Sequence, residues 1–101
     1  MSKKQLTIHW TLPARENLLE MVAYVKMESA QAAIHLAEKI KEKVSRLSKF
    51  PYSGRLVPEF PNANLREVIT GNYRIIYRVR TTKGKEQIEI LTVHHTFQIL
   101  E

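Results

Sequence analysis

The stretch that decides the fold is GNYRIIYRVR, Gly71 to Arg80. Tyr73, Ile75, Tyr77 and Val79 alternate with Arg74, Ile76, Arg78 and Arg80, so a β-strand here has an apolar face and a face carrying three guanidinium groups. The apolar face needs a covering layer, and the arginines need anions. The rest of the chain is read against those two demands.

The neighbours of this strand are strands too. Leu65 to Thr70 precedes it across Gly71-Asn72, a dipeptide suited to a tight hairpin turn, and Gln87 to about His95 follows it across the turn Thr82-Lys83-Gly84-Lys85. A four-residue turn pairs Val79 with Ile88, Tyr77 with Ile90 and Ile75 with Thr92, which makes one continuous apolar face. The arginine face then gains Glu89, Leu91, Val93 and His95, while His94 points towards Tyr73 and the rim of the core. Arg66 has two placements: a two-residue turn puts it on the face of Tyr77, and a three-residue turn puts it beside Arg74.

The covering layer lies upstream. Gln5 to Trp10 alternates as a short strand, and Thr11 caps a helix with Pro13 in its first turn. Leu18, Met21, Val22 and Val25 form the apolar stripe of that helix. Ser29 caps a second helix on which Ala33, Ala37, Ile40, Val44 and Leu47 recur at helical spacing, with Glu38, Lys39, Glu42, Lys43 and Arg46 on the wet side. So short a joint predicts an antiparallel hairpin. The proline-rich segment PYSGRLVPEFPNAN, 51–64, continues neither a helix nor a central strand. The predicted class is α+β: an N-terminal strand and an antiparallel helical hairpin packed on a small, mainly antiparallel sheet, in a single domain spanning 1–101.

Composition narrows the function classes. A chain of 101 residues, 44% hydrophobic and 26% charged, builds one modest core. The absence of cysteine removes disulfides and thiolate metal sites, the N-terminus lacks the apolar region of a signal peptide, and a reducing cytoplasm is expected. No apolar run approaches the roughly 20 residues of a membrane span, so no membrane partner is expected. The net charge of +6 is concentrated between Asn62 and Lys85, where six basic residues face Glu67 alone. Such an excess attracts nucleic acid or an acidic protein, or simply keeps the domain soluble.

Four fragments in order carry a resemblance: P-x-x-G-R-x-V-P-E at Pro51 to Glu59, L-R-E at Leu65 to Glu67, Y-R-I-I-Y-R-V at Tyr73 to Val79 and I-E-I-L-x-V-x-H at Ile88 to His95. Following a helical hairpin, this order resembles the RelE/ParE superfamily of toxins from bacterial type II toxin-antitoxin modules. The resemblance implies a growth-inhibiting toxin neutralised by a cognate antitoxin. It implies one of two targets: the ribosome and its mRNA, cut by RelE-like and YoeB-like members, or DNA gyrase, poisoned by ParE-like members without nuclease activity.

Ribosome-dependent mRNA cleavage is the expectation taken forward, because the sequence holds the needed chemical types. Attack by a 2′-OH requires a base, positive charge on the phosphate and an acid for the leaving oxygen. By resemblance to the YoeB branch, Glu59 stands as the base and Arg74 as the phosphate ligand. His95 falls near that branch's histidine, with His94 one position away and strand parity favouring His95. Arg55, Arg66, Arg78 and Arg80 are the expected nucleic-acid contacts, and no metal or other cofactor is expected. Structural uses compete: Glu59 pairing with Arg55 or Arg66, and Arg74 or Arg78 pairing across strands with Glu89. The chain also departs from the nuclease pattern, with no lysine between Tyr52 and Pro58 and no tyrosine in its tail.

Overall fold

The computed structural model describes residues 5–96. Strand β1 (Thr7–Trp10) leads into helices α1 (Leu12–Glu28) and α2 (Ala30–Arg46), followed by β2 (Arg55–Leu56), β3 (Arg66–Thr70), β4 (Tyr73–Thr82) and β5 (Lys85–His95). The strands form one sheet in the order β1-β5-β4-β3-β2, with β1 parallel to β5 and every other pair antiparallel. The expected α+β architecture, two helices on a small sheet, is the one observed.

Local chemistry explains the helical layer. The Thr11 hydroxyl accepts from Ala14 N and donates to Ile90 O at 2.8 Å, so one residue caps α1 and ties its start to β5. Ser29 ends α1, its N–H bonding Val25 O, and begins α2, its hydroxyl accepting from Ala32 N at 3.1 Å. A single residue therefore turns the chain, and the two helices pack on each other. Ala14, Ile40, Val44 and Leu47 meet Ile75, Tyr77, Ile88, Ile90 and Val93 of the sheet in one buried cluster.

Two features differ from the sequence reading, and a third decides what it leaves open. The β4–β5 turn is Lys83-Gly84 alone, both residues at positive φ (52° and 75°), since Thr82 and Lys85 still pair. The register runs as expected through Val79–Ile88 and Tyr77–Ile90 and then shifts, so that Ile76 faces Thr92 and Ile75 faces Val93. Leu91 is the extra residue of a β-bulge. Strict alternation buries Thr92 in the core; the bulge buries Val93 instead and turns Thr92 and His94 to the arginine face. The third feature settles the placement of Arg66. Gly71-Asn72 is a two-residue turn with Gly71 at φ +56°, so Arg66 pairs with Tyr77 on the helix-facing side.

Tyr77 locks the proline-rich segment to the sheet. Its buried hydroxyl donates to Pro51 O at 2.8 Å and accepts from Gly54 N at 2.9 Å. A Cβ on Gly54 would stand 2.6 Å from that hydroxyl and 2.7 Å from Glu67 O. Gly54→Ala is therefore expected to destabilise by about 1–3 kcal/mol through overpacking. Tyr77→Phe should cost a similar ~1–3 kcal/mol by orphaning a buried N–H. Urea unfolding of both variants measures this, and wild-type midpoints would show that the segment is not held here.

Candidate functional site

The arginine face binds anions from its own chain. Arg74, which an exposed strand face would leave in water, is only 5% exposed. Its Nη1 and Nη2 donate to the two oxygens of Glu59 at 2.6 and 2.8 Å, and its Nε and Nη2 both reach Glu67 Oε1, at 2.8 and 2.5 Å. Glu67 is itself buried, and its second oxygen accepts from Arg55 Nε at 2.6 Å. Four side chains thus form one alternating chain: Arg55, Glu67, Arg74, Glu59.

The topology explains why they meet. Glu67 pairs with Arg55 on one side and with Ile76 on the other, so all three lie on the sheet face opposite the helices, as does Arg74 across from Ile69. Consecutive turns from Val57 to Ala63, and Asn64 at φ +55°, fold the 57–64 loop so that Glu59 reaches Arg74. The hydrogen bonds to Glu59 raise the pKa of Arg74 further above its ordinary value; burial opposes this and the bonds to Glu67 add to it. Its charge is permanent.

The remaining basic residues are also engaged. Arg78 Nε donates to Glu89 Oε1 at 2.6 Å, and Arg80 Nη1 reaches Oε2 at 3.3 Å, with Glu89 nearly buried beneath them. The Arg78 hydrogen bond, helped by Arg80, lowers the Glu89 pKa below the usual carboxylate range against the opposing effect of burial. On the other face, Arg66 Nη1 donates to the carbonyls of Tyr52 (3.2 Å) and Gly54 (2.8 Å), and its guanidinium lies 5.3 Å from the Tyr52 ring centre. It braces the proline-rich segment, away from the other arginines. Arg55, Arg78 and Arg80 keep side-chain exposures of 60%, 45% and 55%, enough to touch a partner while paired.

The bulge changes which histidine belongs with Arg74. Strand parity favoured His95, but the register places His94 opposite Arg74, and His95 opposite Tyr73 in an edge-on ring contact at 5.6 Å. His94 Nε2 lies 3.0 Å from Thr92 Oγ1. Asn17 Oδ1 accepts from both Val93 N (3.2 Å) and the Thr92 hydroxyl (2.7 Å). With its one hydrogen given to Asn17, Thr92 accepts from His94, which sets the Nε2–H tautomer. Glu59, Arg74 and His94 are thus brought to one region, and His95 is not.

Glu67 has no functional role in the sequence reading, where it stands as a lone acid among bases and as the end of the L-R-E fragment. Its signal was there: on β3 an acid between two strands rich in arginine is a cross-strand partner by type.

Residues 8–100 match the model for the ParE toxin of the type II toxin-antitoxin system parDE. This chain belongs to the ParE toxin family. A Sinorhizobium fredii relative, Y4kP, which carries the name of a toxin, is 34% identical over 97% of this chain and 94% of its own length. Among solved structures, the ParE-type fold is similar to that in the chromosomal ParDE system of P. aeruginosa (TM-score 0.72, 19% identity, 92% of this chain and 98% of that one). It is also similar to that in the RelBE2 toxin-antitoxin complex of Mycobacterium tuberculosis (TM-score 0.62, 23% identity, 90% and 98%). Among the described residues no helix of this ParE-family chain is long and apolar enough to cross a membrane.

Two expectations follow from the network. Breaking a buried ion pair costs about 3–5 kcal/mol, so Glu67→Gln, at 0% side-chain exposure, should destabilise strongly, and Glu59→Gln, at 22%, distinctly less. Chemical denaturation compares them, and equal effects would contradict the hierarchy. Glu89, with a depressed folded pKa, contributes stability that is present above the unfolded glutamate value near ~4.3 and is lost as pH falls through the lower folded value. Thermal melts from pH 6 down to 3 should therefore fall less steeply in Glu89→Gln than in wild type.

Proposed function

We propose that this ParE-family toxin stops growth by binding DNA gyrase, without cutting RNA, and that a cognate antitoxin neutralises it. One observation carries the reading. The would-be base and the would-be phosphate ligand of a nuclease are bonded to each other, with both Glu59 oxygens and every nitrogen of Arg74 engaged. A general base must present a lone pair to the proton it takes, and a phosphate clamp must present donors to the phosphate. Here each group is committed to the other, and Glu67 holds Arg74 from behind. The family match and the missing loop lysines support the same reading.

Ribosome-dependent cleavage remains the second reading, favoured by the bulge that brings His94 opposite Arg74. It requires Glu59 to leave Arg74 when RNA binds. The antitoxin part of the proposal is supported by the structurally similar proteins, which come from toxin-antitoxin systems.

Pulse-labelling after induction separates the targets. Thymidine incorporation should fall first while amino-acid incorporation continues and messages stay intact, and Glu59→Gln should remain toxic. Prompt arrest of translation with mRNA cut at ribosome-occupied positions, abolished by Glu59→Gln, would overturn the gyrase reading in favour of the nuclease.

A further inference from the structure

The β4–β5 hairpin runs past the rest of the sheet. The last β3 partner on β4 is Tyr77 and the first β1 partner on β5 is Gln87, so among the described residues 81–86 form a ribbon only two strands wide. Every residue from Arg80 to Glu86 is exposed, and the ribbon closes in the two-residue turn Lys83-Gly84. Its two faces differ in charge. Ladder partners share a face and successive residues alternate, so Arg78, Arg80 and Lys85 lie on one side together with Glu89. Glu86 lies on the other, where its carboxylate accepts from the Tyr52 hydroxyl at 2.6 Å. Lys83 stands at the tip. Glu89 takes Arg78 through Nε and Arg80 through Nη1. Unlike Arg74, both arginines therefore keep terminal nitrogens for an outside acceptor, on side chains that Glu89 already orients.

We propose that this hairpin binds duplex DNA, its tip entering the major groove while Arg78, Arg80, Lys83 and Lys85 hold phosphates along the groove walls. Size and charge point to this occupant. Paired strands lie about 4.8 Å apart, and with their side chains they suit a groove about 12 Å wide, which admits a two-stranded ribbon. Arg78, Arg80 and the Thr82–Lys85 pair follow one another about 7 Å apart along the ribbon, close to the spacing of neighbouring phosphates on one strand. Duplex RNA fits less well, because its A-form major groove is too narrow for side chains to read. A single strand fits less well too, since the ribbon from Arg80 to Glu86 carries no aromatic side chain on which a base could stack. The inference does not depend on which target the toxin has; for a gyrase poison it adds a hold on the DNA that gyrase carries.

The purified full chain and a short labelled DNA duplex, read by fluorescence anisotropy, allow the test. Binding should weaken at least about tenfold between 50 and 200 mM salt. For the wild-type chain, a duplex whose major groove is filled by glucosylated hydroxymethylcytosine should bind at least about tenfold more weakly than a plain one. Lys83→Asn combined with Lys85→Gln touches no ion pair and keeps a residue suited to the left-handed turn; it should weaken binding about tenfold and make the log–log salt slope shallower by about 2. Lys26→Gln combined with Lys39→Gln, an equal loss of charge at exposed positions of α1 and α2, should bind nearly as wild type. A circular-dichroism melt of each variant checks the fold. No salt-sensitive duplex binding, wild-type binding by the hairpin variant, an equal loss in the helix variant, indifference to the filled groove, or tighter binding of duplex RNA or of single strands would each overturn the proposal.

Discussion

A carboxylate in the protein interior sets the terms for much of this molecule. Glu67 has no exposed side-chain surface, and desolvating its charge is costly unless its oxygens are well paired. Arg55 satisfies one oxygen and Arg74 the other, while Glu59 satisfies the far side of Arg74. Each group needs the next. That dependence fixes β2 against β3, β3 against β4 and the 57–64 loop against the sheet, because a slip of one residue in any of them strands a buried charge. Such a network adds little net stability compared with an apolar packing of the same volume; what it selects is one register.

The opposite face repeats the logic with backbone groups as the partners. Tyr77, directly behind this network on β4, holds Pro51 O and Gly54 N through its hydroxyl, and Arg66 holds the Tyr52 and Gly54 carbonyls. Gly54 is close enough to both systems that a single Cβ would meet Tyr77 and the Glu67 backbone together. The segment from Pro51 to Glu59 is thus sewn to both faces of the sheet, which accounts physically for its fragments P-x-x-G-R and V-P-E. The same fragments that point to the toxin superfamily are here occupied in holding the fold. Arg55, Arg78 and Arg80 stay accessible while paired, so the surface offered to a partner is a mixed arginine-glutamate face rather than a purely cationic one.

Most of the architecture was legible in the sequence because it rests on local signals. Thr11 and Ser29 cap the helices as their types require, and the stripe Ala33, Ile40, Val44, Leu47 is buried as its period demands. The alternation of β4 was equally plain. Two things were not. The bulge at Leu91 arises from a choice between burying Thr92 and burying Val93, a packing decision invisible to strict alternation, and it moved the candidate histidine from His95 to His94. The burial of Arg74 depends on a loop without regular structure delivering Glu59 from 15 residues away, and no periodicity encodes that. An arginine on a strand's outer face reads as exposed until something is known to cover it.

In the gyrase reading proposed above, Glu59, Arg74 and Glu67 brace the fold and take no part in chemistry. Replacing all three with apolar residues of similar size, Glu59→Leu, Arg74→Met and Glu67→Leu in one chain, tests it most directly, since a buried ionic group exchanged as a unit for packed apolar side chains often keeps or improves stability. The measurement is growth arrest on induction, paired with a thermal melt of the purified triple variant. A folded variant that still arrests growth is the result the brace predicts. A variant that melts like wild type yet has lost its toxicity would contradict it and return these residues to the chemistry.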